Sequence, residues 1–299
     1  MRQWDGKSKG TLLGYKIFIF LIKNFGVRSA YGLLYFVAAY YFLFYPTNFR
    51  NLYYYLHKRQ AYSAWNSFWN VYRAYYVFGQ TIIDKVAISA GLRDQFSYEF
   101  DGIDVLKNAL ENKQGGILIS AHVGNFEIAE RFFAEIDVNF QINVVTLDQE
   151  HSEIKAYIER VSGRSRIKPI KITDDLSHVF QINDALSNNE LICFTGDRYF
   201  DGSKTLRGAL LGRDAEFPAG PFILASRLKA PLIFVYVMKE KGLHYHLYAR
   251  KAENVKHRDP ESYLLAYKQS VEGILRKYPL QWFNFFDFWN HHSNRERRL

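Results

Sequence analysis

The residues best suited to chemistry lie in the stretch GGILISAHVGNFEIAERFF, where His122 is followed five positions later by Glu127. The apolar run ILIS predicts a buried strand that ends just before His122, and Gly124 permits a tight turn after it. A helix predicted over residues 125–135 then brings the carboxylate of Glu127 close to the imidazole. A carboxylate that accepts a hydrogen bond from imidazole fixes its tautomer and stabilises its protonated form, so His122 is a candidate general base.

A histidine and an acid five positions apart are weak evidence alone, and the sequence contains a second such pair at His291 and Glu296. That pair lies in the polar tail HHSNRERRL, with no strand and no glycine turn before it. Around His122, by contrast, Asn125 is a suitable N-cap and places Glu127 in the first helical turn, where the helix dipole stabilises a carboxylate. This context favours a site at the carboxyl end of a strand, where α/β sheets bind ligands.

A covalent nucleophile is not predicted beside His122. Ser120 points to the other face of the strand from Ala121, and the G-x-S-x-G elbow of serine hydrolases does not occur in the sequence. The single cysteine, Cys193, lies in the apolar run ELICFTGD, which is typical of a small buried residue. One cysteine also excludes internal disulfides and favours a reducing compartment. The predicted chemistry is therefore proton removal from a hydroxyl of the acceptor itself.

A second group of candidates follows the predicted strand LICFT, where Asp197 and Arg198 come at the carboxyl end. The region is rich in cations that could bind phosphates of a donor or an acceptor. These cations are Arg198, Lys204, Arg207 and Arg213. The turn FPAGP opens a helix whose N-terminus can meet an anion. His244 and His246 share one face of a strand without a third ligand at suitable spacing, so we predict no metal and no cofactor.

The elements that must position these residues alternate between short apolar strands and amphipathic helices after residue 100. The strand candidates are GGILISA, QINVVTL, RIKPIKI, ELICFT, PLIFVYVM and HYHLYAR. The helix candidates cover residues 125–135, residues 150–161, DLSHVFQINDALSN, GPFILASRLK and PESYLLAYKQSVEGILRKY. Such alternation predicts the α/β class, with a mixed, largely parallel sheet covered by helices on both faces.

The N-terminal segment is apolar and aromatic, and basic residues interrupt it in a way that does not fit a signal peptide. Its uncharged run over residues 29–49 contains Pro46, which should end a helix near Tyr45. This leaves about 25 Å of helix, just short of a bilayer core. Three interpretations stay open: a short tilted membrane anchor, helices lying in the membrane surface, or buried helices of a soluble protein.

Composition favours contact with a membrane. Aromatic residues make up 17% of the chain, the formal net charge is +9 and the pI is about 9.3. The aromatic residues concentrate at the two ends of the chain and no nucleic-acid motif is present, so an anionic membrane is a better partner than nucleic acid. Residues 47–96 are predicted to be helical. Trp65, Phe68, Trp69 and Tyr72 form one apolar stripe there, which we expect to pack onto the rest of the protein.

Together these motifs resemble a known family. HVGNFE resembles the H-x4-D/E motif of the glycerolipid acyltransferases, in the form found in the bacterial lipid A late (secondary) acyltransferases. Other landmarks agree in order, and the resemblance covers nearly the whole chain. These landmarks are the basic, hydrophobic N-terminal segment, GDR, FPAGPFILASRLKAPLIFVYV and the ending YPLQWFNFFDFWN.

The resemblance implies an α/β acyltransferase sheet on the cytoplasmic face of the bacterial inner membrane. It implies acyl carrier protein thioester as the acyl donor and a hydroxyl of a lipid A-type glycolipid as the acceptor. Residues 1–46 would form a membrane-associated helical segment with an anchoring helix, and residues 47–299 the acyltransferase domain. That domain would comprise a helical part over 47–96, an α/β core over 97–280 and an aromatic, basic C-terminal tail.

Carried onto this chain, the resemblance makes His122 the general base and Glu127 its charge partner. Arg198 would bind the phosphate of the acceptor or steady the charged intermediate, and the FPAGP turn would shape a pocket. The expected substrate-binding residues are Arg198, Asp197, Gly124, Asn125, Phe217 and Gly220. The aromatic N-terminal segment and the ending over residues 282–289 are expected to hold the mouth of the site at the bilayer.

Three alternatives to this function stay open. Close relatives often carry cations in the ending, whereas this chain carries Asp287. A neighbouring branch with a similar ending acylates the lipid heads of aryl-polyene or flexirubin-type pigments, which offers another acceptor. A hydrolase that transfers the acyl group to water is a second alternative, and a non-catalytic peripheral membrane protein is the third.

Overall fold

The computed structural model describes residues 12–129, 141–146, 167–173, 175–199 and 202–289, apart from the side chains of residues 12, 13, 15 and 127. The α-helices are α1 (Leu12–Phe25), α2 (Val27–Phe44), α3 (Pro46–Tyr54), α4 (Ala64–Ala87), α5 (Ile103–Glu111), α6 (Ser177–Ser187), α7 (Ala219–Arg227) and α8 (Pro260–Lys277). The strands are β1 (Ser97–Asp101), β2 (Gly116–Ser120), β3 (Ile142–Thr146), β4 (Ile167–Lys171), β5 (Leu191–Thr195), β6 (Thr205–Leu210), β7 (Arg213–Pro218), β8 (Leu232–Lys239) and β9 (His244–Lys251).

Seven of these strands form one sheet in the order β1-β9-β8-β2-β5-β3-β4. All neighbouring pairs are parallel except β8 and β9, so the predicted mixed, largely parallel α/β fold is confirmed. The central strands β2 and β8 are buried throughout, which explains their unbroken apolar sequences. Alternate residues of β2 reach opposite sides of the sheet: Ile117 and Ile119 join one core and Leu118 joins the other.

Several predicted helix boundaries are confirmed, and each has a local cause. Helix α2 ends at Phe44, and Pro46 takes the first position of α3, where its missing N–H costs nothing. Helix α8 begins with Pro260 after Asp259, whose carboxylate accepts a hydrogen bond from the backbone N–H of Ser262. The predicted helix over 150–161, the end of the helix over 125–135 and the pair at His291 and Glu296 lie outside the described residues.

The structure contains elements that the sequence patterns did not predict. Strands β6 and β7 form an antiparallel hairpin over residues 205–218, apart from the main sheet. Strand β1 pairs with β9 at the edge of the main sheet and has no fully buried residue, so it lacks the apolar run that identified the central strands.

Two expectations about aromatic residues are wrong, and in opposite directions. The stripe on α4 does not pack into the protein along its whole length, because Trp65 is 69% exposed and Trp69 is 45% exposed. The aromatic ending is buried instead: Trp282 is 1% exposed and Trp289 is 5% exposed. Trp282 packs its ring against Tyr55 at a centroid distance of 5.0 Å, so these tryptophans of the ending belong to the core.

Candidate functional site

Two neighbouring parallel strands place His122 and Asp197 side by side. His122 comes two residues after β2 and Asp197 two residues after β5, and the register pairs Ser120 with Thr195 at the ends of these strands. The Nδ1 atom of His122 lies 2.7 Å from Oδ1 of Asp197. The backbone N–H of His122 donates to Oδ2 of the same carboxylate at 3.0 Å. One carboxylate therefore holds both the ring and the main chain of His122.

The contacts of Asp197 favour an orienting role over direct substrate binding. Its side chain is only 3% exposed, and the indole N–H of Trp282 lies within 3.4 Å of Oδ2. With Nδ1 of His122 donating to the carboxylate, Nε2 is the ring nitrogen that can accept a proton. The imidazole is 28% exposed, so a reactant can approach it while the carboxylate behind it stays covered.

The electrostatic environment keeps His122 neutral and Asp197 ionised. Burial lowers the pKa of His122, and the charge of Arg198 lowers it further, against the opposing effect of Asp197. Burial alone would raise the pKa of Asp197, but attraction to His122 and hydrogen bonds from its ring and backbone outweigh this effect and lower that pKa to about 2. A neutral imidazole oriented by an ionised carboxylate is the state that a general base requires.

The turn after His122 requires glycine. Gly124 has φ near +62°, and a Cβ at this position would lie 2.1 Å from the carbonyl oxygen of Val237. The N–H of Gly124 donates to the carbonyl of Gln281 at 2.9 Å, and the N–H of Asn125 donates to that of Val237 at 2.7 Å. The predicted role of Gly124 as a permissive turn residue is confirmed, and β8 lies directly against the turn.

The side chain of Asn125 does not cap the following helix, contrary to our expectation. The short 3₁₀ turn Phe126–Ile128 begins without a side-chain cap from Asn125. The amide of Asn125 is buried and donates instead to the carbonyl of Thr81 at 2.9 Å and to the hydroxyl of Tyr245 at 3.3 Å. These partners come from α4 and β9, so the side chain connects the turn to the interior.

A buried ion pair lies behind Asn125. The ammonium of Lys239 donates to Oδ2 of Asp84 at 2.7 Å, and the two side chains are 3% and 0% exposed. The hydroxyl of Tyr245 donates to the same oxygen at 2.5 Å, and the hydroxyl of Tyr31 donates to Oδ1. The group links α2, α4, β8 and β9 to the residue that follows Gly124.

The segment after α8 supports the turn from the other side, and sequence reasoning missed this role. Val123 forms an antiparallel bridge with Trp282, and the N–H of Phe283 donates to the carbonyl of His122 at 3.0 Å. The side-chain amide of Gln281 bonds to the backbone N–H and carbonyl of Lys239, at 2.9 and 2.7 Å. The only sequence signal was the aromatic motif YPLQWFNFFDFWN, which was interpreted as a membrane contact.

The predicted cations do not share one ligand site in the structure. Arg198 donates to the carbonyl of Phe283 at 2.7 Å, and burial lowers its pKa. Arg207 is 86% exposed and pairs with Glu216 on the hairpin at 3.4 Å. Arg213 donates to the hydroxyl of Tyr54 at 2.6 Å. Lys204 is exposed at the start of the hairpin.

The remaining predicted residues differ in how accessible they are. Phe217 is 1% exposed and packs against Tyr267 and Phe288, which makes it a core residue in this structure. Gly220 is exposed near the start of α7. The side chain of Glu127 lies outside the described residues, and its predicted role as the charge partner of His122 stays a prediction.

Comparison with protein families identifies the region that contains this site. Residues 70–291 match the family described as bacterial lipid A biosynthesis acyltransferase. The matched region includes His122, Asp197 and Trp282 and covers the whole main sheet. No curated protein matches the chain.

Proposed function

We propose that this chain, which belongs to the bacterial lipid A biosynthesis acyltransferase family, uses His122 as the general base of acyl transfer to a lipid A-type glycolipid. Family membership identifies the chain as an enzyme that transfers acyl groups, and it removes the non-catalytic alternative. The observation that supports His122 best is its contact with buried Asp197, which orients the ring so that Nε2 is the proton-accepting nitrogen. We propose acyl carrier protein thioester as the donor.

The proposed reaction needs one proton to move twice. Nε2 of His122 accepts the proton of the acceptor hydroxyl while the hydroxyl oxygen forms a bond to the thioester carbonyl carbon. The tetrahedral intermediate then collapses, the carbon–sulfur bond breaks, and the imidazolium returns the proton to the leaving thiolate. The products are an ester on the glycolipid and a free thiol on the carrier. General-base catalysis of this kind contributes roughly 10²–10⁴-fold to the rate.

Stabilisation of the oxyanion is assigned to Arg198 in this proposal. The backbone N–H groups of Gly124 and Asn125 are weaker candidates, because each is a single donor that bonds to a carbonyl group, whereas a guanidinium has five N–H donors. The charge of Arg198 is close enough to lower the pKa of His122, which supports a place near the developing negative charge. Binding of an acceptor phosphate is the alternative role that we propose for Arg198, and stabilisation of the imidazolium is the role that we propose for Glu127.

We place the enzyme at the cytoplasmic face of the bacterial inner membrane. Support comes from α2, an 18-residue apolar helix of which 22% is buried. By length and composition it is a candidate membrane anchor. The division into a segment over 1–46 and an acyltransferase domain over 47–299 stays a prediction.

The proposal is tested by an acyl-transfer assay with a defined donor and a defined acceptor. Full-length enzyme in membranes is incubated with acyl carrier protein loaded with a labelled acyl chain and with a tetra-acylated lipid A precursor. Wild type should label the glycolipid, and His122→Ala should reduce labelling by about 10²-fold or more. His257→Ala is the matched control, because His257 is an exposed histidine between β9 and α8. Release of the label as free acid would indicate a hydrolase, and unchanged transfer by His122→Ala would overturn the proposed base.

A further inference from the structure

Helix α2 is bound to the rest of the enzyme along one face. The hydroxyls of Tyr72 and Tyr76 on α4 donate to the backbone carbonyls of Tyr35 and Tyr31 on α2, at 3.2 and 3.3 Å. The rings of Tyr35 and Tyr76 also stack at a centroid distance of 4.4 Å. The main-chain carbonyls of two successive turns of α2 therefore accept hydrogen bonds from side chains of α4.

Tight packing fixes the same face between these bonds. Leu34 of α2 is buried against Gly79 of α4, where a Cβ would lie 2.2 Å from Cδ1 of Leu34. Near the end of α2, Phe42 contacts Phe68 of α4 at a ring distance of 5.1 Å. The contact with α4 thus extends over most of the length of α2.

The beginning of α2 is also tied to the charged interior of the domain. The hydroxyl of Tyr31 donates to Asp84 and accepts a hydrogen bond from the ammonium of Lys239 at 2.9 Å. Lys239 belongs to the central strand β8. If α2 crossed the bilayer in this arrangement, it would carry α4, with Arg73 and Lys85, and the buried ion pair into the hydrocarbon core, at a large cost in free energy.

The part of α2 that does not pack on α4 is apolar and exposed, and the first half of α4 also exposes large apolar side chains. The exposed side chains of the two helices are Phe36 (76% exposed), Leu43 (67%), Phe44 (65%), Trp65 (69%), Trp69 (45%) and Phe68 (36%). Phe42 joins the two helices, since its ring also stacks with that of Trp69 at 6.5 Å. Exposed tryptophan rings of this kind are typical of the interface between lipid headgroups and acyl chains.

We propose that α2 lies in the plane of the membrane surface without crossing it, and that Trp65, Phe68 and Trp69 of α4 complete one docking surface for an anionic bilayer. The helix is about 27 Å long, slightly less than a hydrocarbon core of about 30 Å. Lys23, Arg28 and Arg50 are exposed near its two ends and suit anionic headgroups. This inference does not depend on the acyl-transfer reaction.

Topology is tested with two single cysteines on either side of α2. Lys23→Cys and Arg50→Cys alter exposed positions, and the native Cys193 is buried, so it should stay silent in the wild-type control. The full-length variants are reconstituted into vesicles of phosphatidylethanolamine and phosphatidylglycerol and treated with a membrane-impermeant maleimide. An in-plane helix gives equal labelling of both cysteines from outside. Labelling of the two positions from opposite sides would overturn the proposal and show that α2 spans the bilayer.

The contribution of α4 is tested separately by vesicle binding. The double variant Trp65→Ser/Trp69→Ser should weaken binding to the same vesicles by about tenfold or more, because membrane binding scales with the apolar area inserted. The matched control is Phe180→Ser/Leu265→Ser, which removes two side chains that are 77% and 52% exposed on α6 and α8. Equal loss in both double variants, or no loss in the tryptophan variant, would exclude α4 from the docking surface.

Discussion

A histidine has two ring nitrogens, and the partner of one determines what the other can do. In this enzyme Asp197 accepts the hydrogen bond from Nδ1 of His122, so Nε2 is the nitrogen that would accept the proton in the proposed reaction. The carboxylate that was expected from the sequence motif, Glu127, is five residues along the chain from His122. Asp197 is seventy-five residues along the chain but on the neighbouring strand. The roles of the two carboxylates can be distinguished by how their removal changes the pH dependence of kcat/KM.

Asp197→Asn should lower the rate of the enzyme. It should also shift the acid limb of the pH–rate profile, where activity is lost as pH falls, to lower pH. In the proposed mechanism the neutral form of His122 is the active one, so activity should fall as pH falls through the pKa of His122. Asp197 raises that pKa by its charge and hydrogen bond, and removing the charge lowers the pKa. At the same time the amide stabilises the imidazolium less, and kcat should fall by roughly 10²–10⁴-fold. The measurement is kcat/KM of the carrier thioester as a function of pH.

Glu127→Gln is the matched comparison, because it also neutralises one carboxylate near His122 in the sequence. If Asp197 is the main orienting group, Glu127→Gln should shift the acid limb less than Asp197→Asn. A larger shift in Glu127→Gln would restore Glu127 as the main partner of the imidazole.

Arg198→Gln should move the acid limb in the opposite direction. The positive charge of Arg198 lowers the pKa of His122, so its removal raises that pKa and the loss of activity begins at higher pH. The rate above the acid limb should also fall if Arg198 stabilises the oxyanion, by an amount on the order of 10²-fold or more. The pH profile of kcat/KM measures both effects. An acid limb that moves to lower pH would contradict the electrostatic assignment.

At the scale of elements, two glycines predicted for the site differ in what the backbone requires. Gly124→Ala combines φ near +62° with a Cβ 2.1 Å from the carbonyl of Val237, whereas Gly220→Ala in α7 meets no atom within 4 Å. We expect Gly124→Ala to lower the free energy of unfolding by about 1–3 kcal/mol or more. Gly220→Ala should leave it unchanged or raise it by up to about 1 kcal/mol. The measurement is urea unfolding of both variants. Equal effects on the free energy of unfolding would mean that β8 moves away from the turn and makes room for the added Cβ.

The buried ion pair is predicted to hold α2 and α4 to the sheet. Asp84→Asn leaves the ammonium of Lys239 buried without its counter-charge and should lower the free energy of unfolding by about 3–5 kcal/mol. The half-exposed pair of Asp101 and Arg250 provides a control, since Asp101→Asn should cost less than about 1 kcal/mol. Adding Lys239→Met to Asp84→Asn should recover part of the lost stability. If the double variant loses as much free energy of unfolding as Asp84→Asn and Lys239→Met lose together when measured singly, the two side chains are not coupled.

The sequence predicted the elements of the core better than the contacts between them. Apolar runs such as that of β2 identify strands because a central parallel strand is buried on both faces. They do not say which strands are neighbours, so the approach of Asp197 to His122 followed only from the order β8-β2-β5. The hairpin of β6 and β7 was missed because few of its residues are buried and several are charged, so no apolar run marks its strands.

At the scale of the whole molecule, the aromatic residues also show that a sequence pattern does not determine tertiary contacts. Their concentration at both ends of the chain suggested two membrane contacts, yet Trp282 and Trp289 are buried while Trp65 and Trp69 are exposed. A helical stripe has the same period whether it faces protein or lipid. Only the tertiary packing of α2 on α4, and of the C-terminal segment on the turn after His122, decides which aromatic surface is left open.

Net charge gives a further prediction about the whole molecule. The formal charge of +9 should attract an acidic carrier protein over a distance that salt shortens, since the Debye length falls from about 10 Å at 0.1 M to about 3 Å at 1 M ionic strength. In neutral detergent micelles, where membrane charge plays no part, added salt should raise KM for the carrier-bound thioester several-fold and leave kcat nearly unchanged. The same acyl chain on free pantetheine carries no carrier surface, and its KM should not rise. Initial rates with both donors make the comparison. Equal responses of the two donors to salt would place the electrostatic effect in the glycolipid acceptor or in the enzyme itself, and would argue against charge steering of the carrier.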